Sequence, residues 1–286
     1  MSSGNRAIAQ PADMDKNATR HAEVTLISRD TAVRPGQPAR LGVLFNVSEG
    51  WHIYWNGFTT TGIPPSVKWT LPTGAKAGEL EFPVPTRHVD PGGILDHIYE
   101  GRVLLPVSVD IPPTAKPGDK LTFRARVDYL VCKDVCVGEK AEVSLTLPVA
   151  APDHTAAPDP KAATLFQSFE SRLPRPFPTD GSISASWSNN SVTITAPGAT
   201  GLRFFPSRES VEFADLIKDG EATGEKLIIG TVPDAPKDGE FSGIVSVTRG
   251  ANKTSDSFVV KLTRNQPVLP APSPTPAQPA TVPMKR

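Results

Sequence analysis

The run Leu121-Thr122-Phe123-Arg124-Ala125-Arg126-Val127-Asp128-Tyr129 alternates apolar and polar side chains without interruption. That two-residue period belongs to a strand with one buried face, and it puts Leu121, Phe123, Ala125, Val127 and Tyr129 on the same side. The strand runs on into Leu130-Val131-Cys132-Lys133-Asp134-Val135-Cys136-Val137, and residues 141–149 supply a second apolar strand to pair with it. A strand, a short turn and a return strand make a hairpin, with both cysteines of the chain at its tip or shoulder.

The same pattern recurs upstream. Residues 23–28 and 39–47 read as two strands joined by the turn Arg34-Pro35-Gly36-Gln37, and 66–71 and 103–109 alternate in the same way. Between them, Gly50-Trp51-His52-Ile53-Tyr54-Trp55 packs three aromatic side chains into six residues, ahead of a polar loop at 56–62. With 31 prolines and 22 glycines in 286 residues, the chain is broken too often for long helices, which predicts an all-β fold of sandwiches. Residues 80–97 contain Pro83, Pro85, Pro91 and Gly92-Gly93 and read as a long surface loop rather than an element.

Composition shifts divide the chain. Residues 1–20 read as a flexible leader, 21–150 as a first sandwich, 151–160 as a Pro- and Ala-rich linker, 161–264 as a second sandwich, and 265–286 as a disordered Pro/Ala-rich tail. Leu165, Phe166, Phe169 and Leu173 recur at helical spacing, so a short packing helix follows the linker. In the second domain, strands are predicted at 183–187, 192–196, 202–205, 226–232, 241–248 and 257–263, the first two forming a tight hairpin around Asn189-Asn190.

Charge and motifs narrow the function. Thirty Lys plus Arg balance thirty Asp plus Glu, so no global field recruits nucleic acid. No stretch is long enough to span a bilayer, no apolar run in 1–20 reads as a secretory signal, and no phosphate loop, nucleophile elbow or His-Glu-x-x-His is present. The second domain has neither cysteine nor histidine.

Cys132 and Cys136 therefore carry the chemistry, and their spacing leaves several readings open. Two inert core thiols would have to face inward from a turn holding Lys133 and Asp134. A structural disulfide closing so short a loop would contribute only about 2 kcal/mol. A redox-active pair suits a short, constrained loop in which one thiol can resolve a mixed disulfide made by the other; Lys133 would favour a thiolate and Asp134 oppose it. Cu(I) binding would need a further soft ligand, yet no histidine lies within ten residues of the pair, and His52, His88 and His97 could approach only through the fold.

An ordered series of segments then carries a family likeness: Gly50 to Trp55, Gly62-Ile63-Pro64-Pro65, Trp69-Thr70-Leu71-Pro72, Phe82-Pro83-Val84-Pro85-Thr86-Arg87, Ile98-Tyr99-Glu100-Gly101, Leu105-Pro106-Val107 and Tyr129 to Cys136. Together they resemble the N-terminal periplasmic domain of the DsbD/ScsB thiol:disulfide interchange proteins. The likeness extends through Leu202-Arg203-Phe204-Phe205-Pro206, similar to a second ScsB-type sandwich. It implies two immunoglobulin-like sandwiches, a periplasmic setting, no cofactor, and electron transfer of the kind that serves cytochrome c biogenesis. It further implies that Cys136 makes the mixed disulfide with thioredoxin-like periplasmic partners and Cys132 resolves it. A loop shields the pair in that family; by order in the chain, 82–96 takes that place here. Phe82 and His88 are thus shield residues, and His52 and Tyr54 flank the site. The gap between the cysteines is shorter than in the best-known DsbD members, which points to the ScsB type. The membrane and thioredoxin-like domains of full-length members have no counterpart in this sequence, so a separate membrane-embedded thiol reductase is the expected donor unless the chain is a fragment.

Overall fold

In the computed structural model, residues 20–151, 157–233, 239–250, 252 and 254–264 are described. The expected tail, all but one residue of the leader and half of the linker lie outside them. The first sandwich is built from ten strands: β1 (Ala22–Ser28), β2 (Pro38–Val47), β3 (His52–Tyr54), β4 (Ser66–Thr70), β5 (Lys76–Ala77), β6 (Thr86–Val89), β7 (Leu95–Glu100), β8 (Arg102–Asp110), β9 (Lys120–Cys132) and β10 (Cys136–Pro148). They form two sheets, β1-β2-β8-β5 and β10-β9-β3-β7-β6, with β4 also pairing with β9.

The alternation in sequence becomes alternation in burial. Along β9, Phe123, Ala125, Val127, Tyr129 and Val131 are buried, while Arg124 and Arg126 face solvent. Leu41, Val43, Phe45, Leu105 and Val107 of the first sheet and Ile53, Ile98, Phe123, Val127 and Val131 of the second are all fully buried. Phe45 meets Tyr129 edge to face, with ring centroids 5.4 Å apart, so the two sheets share this core.

β2 and β8 are buried through most of their length rather than at alternate positions, because a helix covers their outer face. This is α1 (Pro160–Glu170), capped by Asp159, whose side chain accepts from the Lys161 and Ala162 amides, with proline at its first position. Its Phe166 is fully buried above Gly42, where a Cβ would lie 2.5 Å from Leu104 Cδ1 and 3.1 Å from Phe166 Cζ, so the helix sits on the sheet only because residue 42 is glycine. Arg40 then ties helix to sheet, bonding Glu170 at 2.6 Å and Glu81 through two nitrogens at 2.5 and 2.6 Å. The helix thus belongs to the first unit, which comprises the chain up to Pro174 together with Phe205–Arg208. The division falls after the helix and not at the 151–160 linker, because the apolar face of 161–173 has its partner in β2 and β8.

A second difference concerns residues 80–97. Where a loop was expected, β6 and β7 pair antiparallel as a hairpin, with His88 opposite Asp96 and Val89 opposite Leu95. The Asp90-Pro91-Gly92-Gly93 turn closes it: the Asp90 amide donates to Ile94 O, the Gly93 amide to Asp90 O, and Gly93 takes φ +76°. Leu95 to Tyr99 are buried on both faces, so β7 shows no alternation for the sequence to reveal.

The second unit begins at Arg175. It holds β11 (Arg175–Pro176), β12 (Ser184–Ser188), β13 (Ser191–Thr195), β14 (Ala199–Pro206) as far as Phe204, α2 (Leu216–Asp219), β15 (Glu221–Thr223), β16 (Lys226–Gly230), β17 (Glu240–Arg249) and β18 (Thr254–Thr263). The sheets are β11-β18-β17-β14-β15 and β12-β13-β16. Phe204 stacks on Phe241 at 4.6 Å, and Phe213 and Trp187 meet Phe241 at an angle, which gives an aromatic core. β12 and β13 form the tight hairpin, with Asn189 at φ +52°. The fold is all-β, as the turn-rich sequence predicts.

Candidate functional site

Strand pairing brings the cysteines together. Cys132 ends β9, Cys136 begins β10, and the two are directly opposite in the antiparallel ladder, with Cα atoms 4.1 Å apart and the sulfurs bonded. Lys133, Asp134 and Val135 form the turn, which the Lys133 amide closes onto Val135 O. On the other side of β9 lies β3, with His52 opposite Cys132 and Ile53 opposite Val131; β7 follows, with Tyr54 opposite Ile98.

This order makes the two sulfurs unequal. β9 is interior to its sheet, and Cys132 is 2% exposed, packed with Tyr54 and Ile98 and against Leu130. β10 is the edge strand, and Cys136 is exposed, as is the neighbouring Val135, at 64%.

A polar chain leads from Cys136 inward. The Tyr54 hydroxyl lies 3.7 Å from Cys136 Sγ, 3.2 Å from His52 Nε2 and 3.2 Å from Thr61 Oγ1. Thr61 Oγ1 donates to Asp96 Oδ2 at 2.5 Å, while Asp96 Oδ1 accepts from the Thr60 and Thr61 amides at 2.6 and 3.1 Å. Asp96 is 2% exposed, and these three donors satisfy a carboxylate that burial would otherwise penalise. Thr60 Oγ1 donates to Leu95 O and Thr59 Oγ1 to Gly62 O, which pins the polar loop of 56–62 against β7. Gly62 lies on the Tyr54 ring; a Cβ there would sit 2.2 Å from two of its carbons.

Histidines complete the surroundings. The His52 ring meets Tyr54 edge to face at 5.2 Å and lies 5.8 Å from the His88 ring, and His88 Nε2 pairs with Asp90 Oδ1 at 2.8 Å. Burial, and then the nearby His88, push the His52 pKa down, which favours its neutral form. Burial pushes the Tyr54 phenol up, which keeps it protonated.

Of the residues singled out in the sequence, Cys132, Cys136, His52, Tyr54 and His88 thus fall in one neighbourhood. For Phe82 the structure gives only its neighbours: Glu81 is tied to Pro106 and Arg40, and Pro83 O accepts from the Tyr99 hydroxyl. The Lys133 side chain lies over Gly50, where a Cβ would be 3.3 Å from Nζ. Among the described residues, no group of three or more His, Cys, Asp or Glu is placed to hold a metal ion. Thr61, Gly62 and Asp96 were missed as site residues. Their one signal was an aspartate set in the otherwise apolar run Leu95-Asp96-His97-Ile98-Tyr99.

Residues 23–148 match the family model described as "Thiol:disulfide interchange protein DsbD, N-terminal". That stretch resembles a DsbD N-terminal domain. Cys132, Cys136, His52, Tyr54, Thr61 and Asp96 all lie inside it. Among solved structures, the N-terminal periplasmic domain of ScsB from Proteus mirabilis is similar at a TM-score of 0.59 with 14% identity, covering 91% of this chain and 99% of that one. This likeness shows the fold. A protein of unknown function from Porphyromonas gingivalis W83 matches at a TM-score of 0.25 with 12% identity, over 85% of this chain and 99% of its own, too low to support any inference. No curated protein matches the chain. The DsbD family is one of thiol:disulfide interchange, and a bonded cysteine pair suited to that chemistry is present. Among the described residues no helix is long and apolar enough to cross a membrane.

Proposed function

We propose that the chain is a periplasmic thiol:disulfide relay in which Cys136 exchanges with partners and Cys132 resolves. The carrying observation is the difference in exposure: Cys136 is open to an incoming thiolate, whereas Cys132 lies under Tyr54 and Ile98. In the charging step, a donor thiolate attacks Cys136 Sγ, the Cys132–Cys136 bond breaks and Cys132 leaves as a thiolate. The donor's second thiol then attacks the mixed disulfide and releases Cys136, so the donor leaves oxidised and the pair reduced. In the delivery step, Cys136 attacks a partner disulfide, and Cys132 attacks Cys136 Sγ to release the reduced partner and restore the bond. The donor is a separate membrane-embedded thiol reductase, and the acceptors are thioredoxin-like periplasmic proteins. Exposed Val135 beside Cys136 offers an apolar contact for either.

Trapping tests the assignment. With Cys132→Ser, Cys136 should accumulate a mixed disulfide with a thioredoxin-like partner; with Cys136→Ser, none should form. Trapping through Cys132 alone would overturn the roles. A reduction potential below about −300 mV, the range of structural disulfides, would overturn the relay itself.

A further inference from the structure

Counting hydrogens along the chain that ends at Cys136 fixes its direction. A carboxylate has only acceptors, so the single hydroxyl hydrogen of Thr61 goes to Asp96 Oδ2. Thr61 Oγ1 then has only lone pairs left for Tyr54, so the hydrogen bond between them is donated by the phenol. Once the pair is reduced, the phenol oxygen can accept from the Cys136 thiol, 3.7 Å away, and from His52 where Nε2 carries the ring hydrogen; in the disulfide Cys136 has no hydrogen to give. Neither tyrosine nor threonine has a second hydrogen with which to reverse the order.

We infer that buried Asp96, acting through Thr61 and Tyr54, presents an acceptor to Cys136 and so holds it as the thiol rather than the thiolate when the pair is reduced. This deepens the exchange reading and rests on it for its purpose. A thiolate is the attacking species, and Cys136 is the exposed sulfur, so an unrestrained thiolate there would react with any disulfide it met. Keeping its proton slows indiscriminate exchange and leaves activation to a partner that disturbs the Tyr54 contact. Asp96, Thr61 and Tyr54 are positioning residues in this scheme.

Other charged and titratable groups lie in the same neighbourhood. Lys133 and Asp134 lie in the turn, His52 comes from β3, His88 and Asp90 from the β6–β7 hairpin, and Glu100 from β7 opposite His52. The test must separate their fields, and that of Asp96 itself, from the direction of the chain.

Asp96→Asn does so. Asparagine can keep Oδ1 on the Thr60 and Thr61 amides while Nδ2 donates to Thr61 Oγ1, which turns the threonine hydrogen toward Tyr54 and the tyrosine hydrogen toward Cys136. In a Cys132→Ser background, where Cys136 is the one thiol, alkylation by iodoacetamide should rise ~3-fold or more at pH 7, and the midpoint of its pH profile should move to lower pH. Adding Tyr54→Phe should abolish that gain. No gain from Asp96→Asn, or a gain that survives Tyr54→Phe and therefore acts through space, overturns the inference. Should Asp96→Asn not fold, Thr61→Val carries the same test: by freeing the phenol hydrogen it should raise the rate in the same direction, and an unchanged rate refutes the scheme. Alkylation needs no partner, so this result stands apart from mixed-disulfide trapping, whose failure would remove the relay and leave the hydrogen-bond chain intact.

Discussion

The two sandwiches differ in what they bury. The first encloses Asp96 at 2% exposure and His97 at 0%, both in β7, with the Thr59–Thr61 loop arranged to satisfy the aspartate. The second buries Thr231, Ser242, Ser246 and Ser257 as its polar residues and centres on the aromatic cluster around Phe241. A buried carboxylate or imidazole costs more than a buried hydroxyl, so the buried aspartate and histidine, which among the described residues occur only in the first domain, mark where structure is held for something other than packing. The lesson is that the buried aspartate and histidine lie in the domain of the cysteine pair, whereas buried hydroxyls occur in both.

The largest effect that would test this contrast lies in the second domain. Phe241→Ala should cost about 3–5 kcal/mol there, because the ring stacks on Phe204 and meets Phe213 and Trp187, while alkylation and exchange at Cys136 stay unchanged. Denaturant unfolding followed by Trp187 fluorescence, alongside a thiol-exchange assay, measures both; a matching loss of exchange would show that the domains do not divide the work as their cores suggest.

The next effect belongs to the first domain. Burial holds the His97 pKa at about 4, against an ordinary value of 6.5, and its Nδ1 donates to Phe58 O. Between those values the unfolded chain binds more protons than the folded one, so stability falls as the pH drops from 6.5 toward 4, by ~3 kcal/mol over that window. Urea unfolding at several pH values should show this loss, and His97→Asn should flatten it; an unchanged slope in the variant would assign the acid sensitivity elsewhere.

The smallest effect is local. Gly62→Ala would press a methyl group into the Tyr54 ring and should cost about 1–3 kcal/mol as the ring or the loop gives way. Because that displaces the hydroxyl from Cys136, thiol alkylation should change as well, whereas Gly198→Ala in the second domain, where a Cβ meets nothing within 4 Å but φ is +74°, should lower stability alone. Comparing the two glycines separates backbone strain from loss of the tyrosine contact.

Much of the architecture was legible along the chain because alternation is a local property. β9 could be read residue by residue, since one of its faces is wet, and the β12–β13 hairpin announced itself through Asn189-Asn190. β7 could not be read, because cover on both faces erases the alternation, and β6, among prolines, is too short to stand out. The helix was visible in Leu165, Phe166, Phe169 and Leu173, but nothing local said that Gly42 had left room for it on β2 and β8.

The site divides in the same way. Sequence by itself determined that two cysteines stand at the end of a long amphipathic strand, with a return strand to bring them together, because those facts depend on spacing and period alone. Only the tertiary structure decided which sulfur is reachable and what it touches. Strand order places Cys132 in the sheet interior and Cys136 on its edge, and a threonine and an aspartate 35 residues apart in the chain complete the hydrogen bonds leading to the exposed one. Contacts of that kind arise from the pairing of distant strands, which local patterns do not encode.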